Sequence, residues 1–224
     1  MGAKTWMLLY VDAGQARAQL AARPALDRAE SARVAAQLFA ADELQPLADG
    51  SLGWTAPPDE ELLVGCFSGG LTVLAAKEFA LDRPSALEAR FLAHAQGRDV
   101  FLHAMHSAAD WLALAHWRDG RLLRALSVAP DDGLIEDQGT PWAFELPFWD
   151  GAHPADDPDE LAAGEAPYPL PFHPLELGDA ALRELFGYHL EGLVDASLLE
   201  PESLPLLRFK RKARRKPSWF SRFW

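Results

Sequence analysis

The side chains able to do chemistry in this chain are one cysteine, a scatter of histidines and carboxylates, and a block of cations near residue 210. Cys66 sits in GCFSGG (residues 65–70), where a thiol beside a glycine turn could act as a nucleophile. No neighbour in sequence lowers its pKa, and free cysteine is among the most buried residue types, so it reads as the buried end of a hairpin strand. Ser68 lacks glycines at both offsets of a nucleophile elbow. His103 and His106 would share a face on a helix and could hold a metal. On a strand, the reading preferred here, odd spacing sends them to opposite faces, and His116 could pair across the sheet with one of them. Asp12, after an apolar strand, is where α/β enzymes often place a carboxylate, but a helix N-cap accounts for it more simply. Asp156, Asp157, Asp159 and Glu160 lack the glycine and ligand spacing of a calcium loop, and Pro158 interrupts them, so they read as a solvated acidic loop. His173, between Phe172 and Pro174, marks a junction where a site could lie. No HExxH, CxxC, Walker-type or GxGxxG pattern occurs. Neither a cofactor nor a metal is expected.

The cations are the sharper signal. Residues 208–224 read RFKRKARRKPSWFSRFW: Arg208, Lys210, Arg211, Lys212, Arg214, Arg215, Lys216 and Arg222 with no acid among them, and Trp219, Phe220, Phe223 and Trp224 near the end. The whole chain carries −12, so residues 1–207 carry −20 and the basic segment stands against an acidic body. Three readings compete. Cations attract an anionic leaflet at about 1 kcal/mol each, and Trp and Phe favour its boundary, the two-signal logic of peripheral anchoring. Cations with aromatics also suit unpaired nucleic acid. Alternatively the segment docks on the acidic body or on a protein partner, or is inert. The expectation adopted is an anionic membrane surface, contacted by all twelve of these residues, with nucleic acid the weaker partner and a protein partner left unspecified.

The elements that must position these groups follow from pattern. With 224 residues, 49% hydrophobic, the composition is that of a globular chain. One cysteine excludes an internal disulfide and fits a reducing compartment. MGAKTWMLLYVDAG reads as a core strand and not a signal peptide, so a cytoplasmic protein, peripheral on the inner face of the membrane, is expected. Residues 5–11 are apolar on both alternating faces, as in a strand covered on two sides. A helix is expected over 13–22, capped by Asp12. Asp27 with Glu30 makes a capping box for a helix to about Phe39. Residues 62–67 and 71–79 read as a hairpin around Ser68-Gly69-Gly70. Ser85 with Glu88 is a second capping box, for a helix that Gly97 stops. Strands over 99–106, 111–118, 122–128 and 134–137, with turns at Asp119-Gly120 and Asp132-Gly133, make a β-meander. Residues 139–175 form a long loop rich in proline and aromatics, whose ends are expected to pack on the body. A last helix is expected over 179–191, with Leu182, Phe186 and Leu190 on one stripe and Gly192 ending it. The fold class is therefore α+β: a single domain over 1–200 with a mostly antiparallel sheet and about four helices, followed by the basic-aromatic tail 208–224.

MGAKTWMLLYVD, LLRALSVAPDDGLIEDQGTPWAFELPFW and YPLPFHPLELGDAALRELFGYHLEG together resemble an actinobacterial family known only as a domain of unknown function, over residues 1 to about 195. The resemblance implies no activity and carries over no catalytic residue. The expectation is thus an accessory or interaction protein held at the inner membrane surface by its tail. The alternative is an enzyme with its site where the long loop, the meander and the last helix meet. A deep pocket of converging polar groups there would favour the enzyme, and an aromatic-filled junction the interaction protein.

Overall fold

The computed structural model describes residues 2–12, 16–156, 159, 162–164, 166–191 and 195–213. Its backbone is a large sheet in the order β10-β9-β8-β7-β1-β6-β5-β11-β3, in which every strand pairing of the path is antiparallel. The strands are β1 (Ala3–Val11), β2 (Leu26–Asp27), β3 (Asp42–Pro46), β4 (Gly50–Ser51), β5 (Glu61–Phe67), β6 (Thr72–Ala75), β7 (Asp99–His106), β8 (Trp111–Arg118), β9 (Arg121–Ala129), β10 (Gly133–Gly139) and β11 (Pro205–Ala213). The short β2 and β4 pair with β5 and β11 off this path. The described helices are α1 (Ala16–Ala21), α2 (Arg28–Leu38), α3 (Ala89–His94), α4 (Leu146–Trp149) and α5 (Pro174–Ala181). The class is α+β and dominated by the sheet.

Burial on two faces explains the layers. Along β1, Trp6, Leu8 and Tyr10 face one core with Val34, Phe39, Phe79 and Phe91, while Met7, Leu9 and Val11 face a second with Leu20, Phe186 and Tyr188. A strand apolar on both alternating faces requires cover on both, and α2 with α3 supply one layer, α1 with α5 the other. The meander stands as its turn residues dictate, from Asp99–His106 through Gly133–Gly139. Asp27 caps α2, its Oδ1 accepting from Glu30 N at 2.9 Å.

Four local readings are corrected. The hairpin's second strand stops at Ala75, and Lys77–Phe79 winds into a 3₁₀ turn that buries Phe79. The Ser85/Glu88 box does not form. Glu136 on β10 takes both the Ser85 N–H and its hydroxyl, so Pro84–Ala86 is a separate 3₁₀ turn and α3 starts at Ala89 without a side-chain cap. The last helix starts at Pro174, with His173 as its N-cap, and passes at Leu182–Phe186 into a π-helical turn that Gly187 ends at φ 75°. Gly178 lets α5 approach the sheet, since a Cβ there would meet Met105 Sδ at 2.5 Å. His116 pairs with Phe101 in register, not with a histidine. The expected helix cap at Asp12 bears on residues 13–15, outside the described set.

The largest difference is β11. The sheet runs past the expected boundary at residue 200 and into the expected tail, because Leu206, Leu207 and Phe209 are buried between β5 and β3. Phe209→Ala is therefore expected to cost about 3–5 kcal/mol in urea unfolding, while Lys212→Ala, at an exposed position, stays within about 0.5 kcal/mol.

Candidate functional site

The basic segment begins as structure. Arg208 donates to Glu61 through Nε (2.5 Å) and Nη2 (2.9 Å). Arg211 donates through both Nη atoms to Glu78 (2.8 and 2.5 Å) and through Nε to Asp42 (2.8 Å), with its guanidinium 4.8 Å from the Phe39 ring. Paired forks of this kind are directional as well as charged, and they lock β11 to the body. Strand alternation then sorts the cations. Arg211 faces the α2 side, while Arg208, Lys210 and Lys212 share the opposite face. Lys210 and Lys212 are exposed and close no ion pair among the described residues, although Lys212 lies opposite Glu43 in register. Trp54, 37% exposed, stacks under the Arg208 guanidinium at 4.7 Å. Arg214, Arg215, Lys216, Trp219, Phe220, Arg222, Phe223 and Trp224 lie outside the described residues.

The junction of long loop, meander and last helix is filled by rings. Phe101, His116, Trp142 and Phe144 form a continuous stack with centroid steps of 4.2, 6.1 and 5.5 Å. Phe172 meets Phe148 and Trp149 edge-on. Beneath them Arg124 is buried against Glu145 (3.0 and 2.6 Å), and it also reaches Asp137. Glu145 in turn accepts from Trp142 N at 2.9 Å, tying the start of the loop to the meander. A buried pair so completely bonded holds the loop in place.

Packing places each of the four histidines that the sequence singled out. His103 is fully buried. Its Nε2 donates to Gly178 O at 3.0 Å, so Nδ1 accepts the Thr5 hydroxyl at 2.7 Å. Burial pushes its pKa down to about 4. His106 emerges on the other face, as the odd spacing requires. Burial also lowers the pKa of His116, although its Nε2 is 3.4 Å from Asp99, whose carboxylate takes the Arg118 fork. His173 is held by Leu175 N and stacks on Tyr168. Cys66 is buried, and burial raises its pKa, which disarms the thiol. Asp12 is exposed beside Gly70. Asp156 accepts from Tyr168 N at 2.6 Å and so shapes its own loop. Asp157 and Glu160 lie outside the described residues. No group of three or more metal-binding side chains occurs among the described residues.

Beside the filled junction runs a groove of about 490 Å³, lined by Phe144, His153, Asp179, Arg183 and His189 among others. Sequence reasoning missed its most unusual member. Asp179, on the last turn of α5, is largely buried. Desolvation first, and the nearby Glu191 second, raise its pKa to about 6. One carboxylate oxygen meets the Leu190 N–H, and Oδ1 has no partner among the described residues. The π-helical turn begins three residues later, a distortion often found at functional sites. A carboxyl group titrating near neutrality can hold or pass a proton. Nothing in the local sequence DAALRELFG signals this, because the shift comes from burial by distant segments.

An α+β chain built on an eleven-stranded sheet, with ring-filled packing over one face and a basic strand inside the sheet, is thus defined. The chain belongs to a family of unknown function, DUF6928, whose model matches residues 5–209. That span takes in β11 through Phe209. No curated protein and no solved structure matches the chain. No described helix is long and apolar enough to cross a membrane.

Asp179 generates a pH prediction. Its folded pKa lies above the ordinary carboxylate value, so the folded state binds the proton more tightly. Its contribution to stability then falls as pH rises from about 4 to about 6 and is flat above. Asp179→Asn should remove that slope. Thermal unfolding of the two proteins at pH 4.5 and 7 is expected to show the variant gaining on the parent at the higher pH.

Proposed function

We propose that this protein is an accessory or interaction protein recruited to an anionic membrane surface by its basic-aromatic C-terminal segment. The observation that carries the reading is the sorting of cations on β11. Arg208 and Arg211 are spent on Glu61, Glu78 and Asp42, whereas Lys210 and Lys212 stay exposed on the face that also carries Trp54. A strand fixed by forks gives the following residues a rigid base. The cations left for lipid are Lys210, Lys212, Arg214, Arg215, Lys216 and Arg222, fewer than the sequence alone suggests. At about 1 kcal/mol each near an anionic leaflet, they provide several kcal/mol before ordering costs. Trp219, Phe220, Phe223 and Trp224 supply the apolar second signal. The aromatic-filled junction agrees with an interaction protein.

Flotation with phosphatidylserine-containing vesicles tests this. The comparison chain must stop after Ala213, since a stop after Leu207 removes most of β11 and tests folding instead. The full chain should float and the shortened chain should not. Replacing the four aromatics by Ala should weaken flotation, and raised salt should weaken it further, because exposed charges are screened over about 8 Å at physiological ionic strength. If vesicles fail and single-stranded RNA binds instead, the segment reads nucleic acid.

A further inference from the structure

On the sheet face opposite α5, remote from the Asp179 groove, a cleft of about 320 Å³ opens between two tryptophans, Trp6 on β1 and Trp111 on β8. The register explains the opening. Trp6 pairs with Ala104, and Trp111 with His106, so the two indoles flank β7 two strands apart, and only Ala104 and His106 of that strand lie between them. Ala80, Ala109 and Ala129 line it too, leaving room that larger residues would fill.

Three polar observations converge on it. Trp111 is only 8% exposed, and its Nε1–H has no acceptor in the protein among the described residues. Buried polar groups are normally satisfied, so an orphan donor on a residue that lines a cleft calls for an acceptor from outside the chain. His106 Nδ1 accepts from Ala108 N at 3.3 Å, which leaves the ring proton on Nε2 as a second donor. The Lys77 ammonium sits over the Trp6 ring at 4.1 Å, with the exposed carboxylates of Asp82 and Asp132 on the same lining. A ring face with carboxylates beside it is a cation-recognition surface, and Lys77 occupies it from within the chain. Lys77 is itself held loosely, 3.9 Å from Asp59 and half exposed, so it can yield.

We propose that this cleft binds a small zwitterion of the ammonium-carboxylate class. Its carboxylate accepts from Trp111 Nε1 and His106 Nε2, and its ammonium replaces Lys77 over Trp6, beside Asp82 and Asp132. The inner donors and outer acids together select against a simple anion and a simple cation. The inference is independent of membrane recruitment, because the cleft lies away from the exposed face of β11.

Isothermal titration of the full chain tests it, with glycine betaine as the zwitterion, choline as the cation alone and acetate as the anion alone. Glycine betaine is expected to bind more tightly than either control. Trp111→Phe keeps the ring and loses the N–H, and should weaken glycine betaine about tenfold while leaving choline unchanged. Lys77→Gln, at an exposed position, should tighten glycine betaine several-fold by removing the internal competitor. Thermal unfolding confirms that both variants fold. No binding of glycine betaine up to about 10 mM by the parent and by Lys77→Gln overturns the proposal. So does an affinity that Trp111→Phe leaves unchanged, and so does acetate or choline binding as tightly as the zwitterion. A lone water on the indole N–H would give the first of these results.

Discussion

Strand β11 is the constraint on which much of this structure rests. It carries a basic sequence into the body of a sheet, between β5 and the acidic edge strand β3, and β3 has no other neighbour in the sheet order. Two guanidinium forks make this tolerable. Arg208 and Arg211 meet Glu61, Glu78 and Asp42, so charge that would oppose burial of Leu207 and Phe209 is neutralised as the strand closes. The acidic body and the basic segment are thus parts of one assembly problem. The opposite charges first serve folding, and among the described cations of the strand this pairing leaves Lys210 and Lys212 exposed.

The same rule governs the interior. Arg124 is buried with Glu145, the buried Asp99 is held by the half-exposed Arg118, and His103 is buried between Thr5 and Gly178. Each of these groups is bonded by another element, and each bond ties distant stretches of chain together. A buried polar group left unmet is costly, so the exceptions stand out. Two of them, Asp179 Oδ1 and Trp111 Nε1, belong to residues that line open clefts on opposite faces of the sheet. Buried nitrogens of His94 and His116 are also unmet, but neither histidine lines these two clefts, and the Cys66 thiol accepts from the Thr72 hydroxyl.

The sequence by itself determined the meander, the two-sided burial of β1, the α2 cap and the opposite facing of His103 and His106. These depend on period-two alternation, on Asp-Gly turns and on a cap three residues from its donor, all interactions among neighbours in the chain. Family membership was legible too, in whole segments. The tertiary structure alone decided that residues 208–213 are a strand, because Leu207 and Phe209 find their partners on β5, more than a hundred residues away in sequence. It decided that Ser85 serves Glu136 instead of its own helix, and that Gly178 brings α5 close to β7. It raised Asp179 and opened the Trp6–Trp111 cleft, since burial and emptiness are properties of what surrounds a residue. Local pattern sets which element forms, whereas desolvation and the pairing of distant charges set what that element can do.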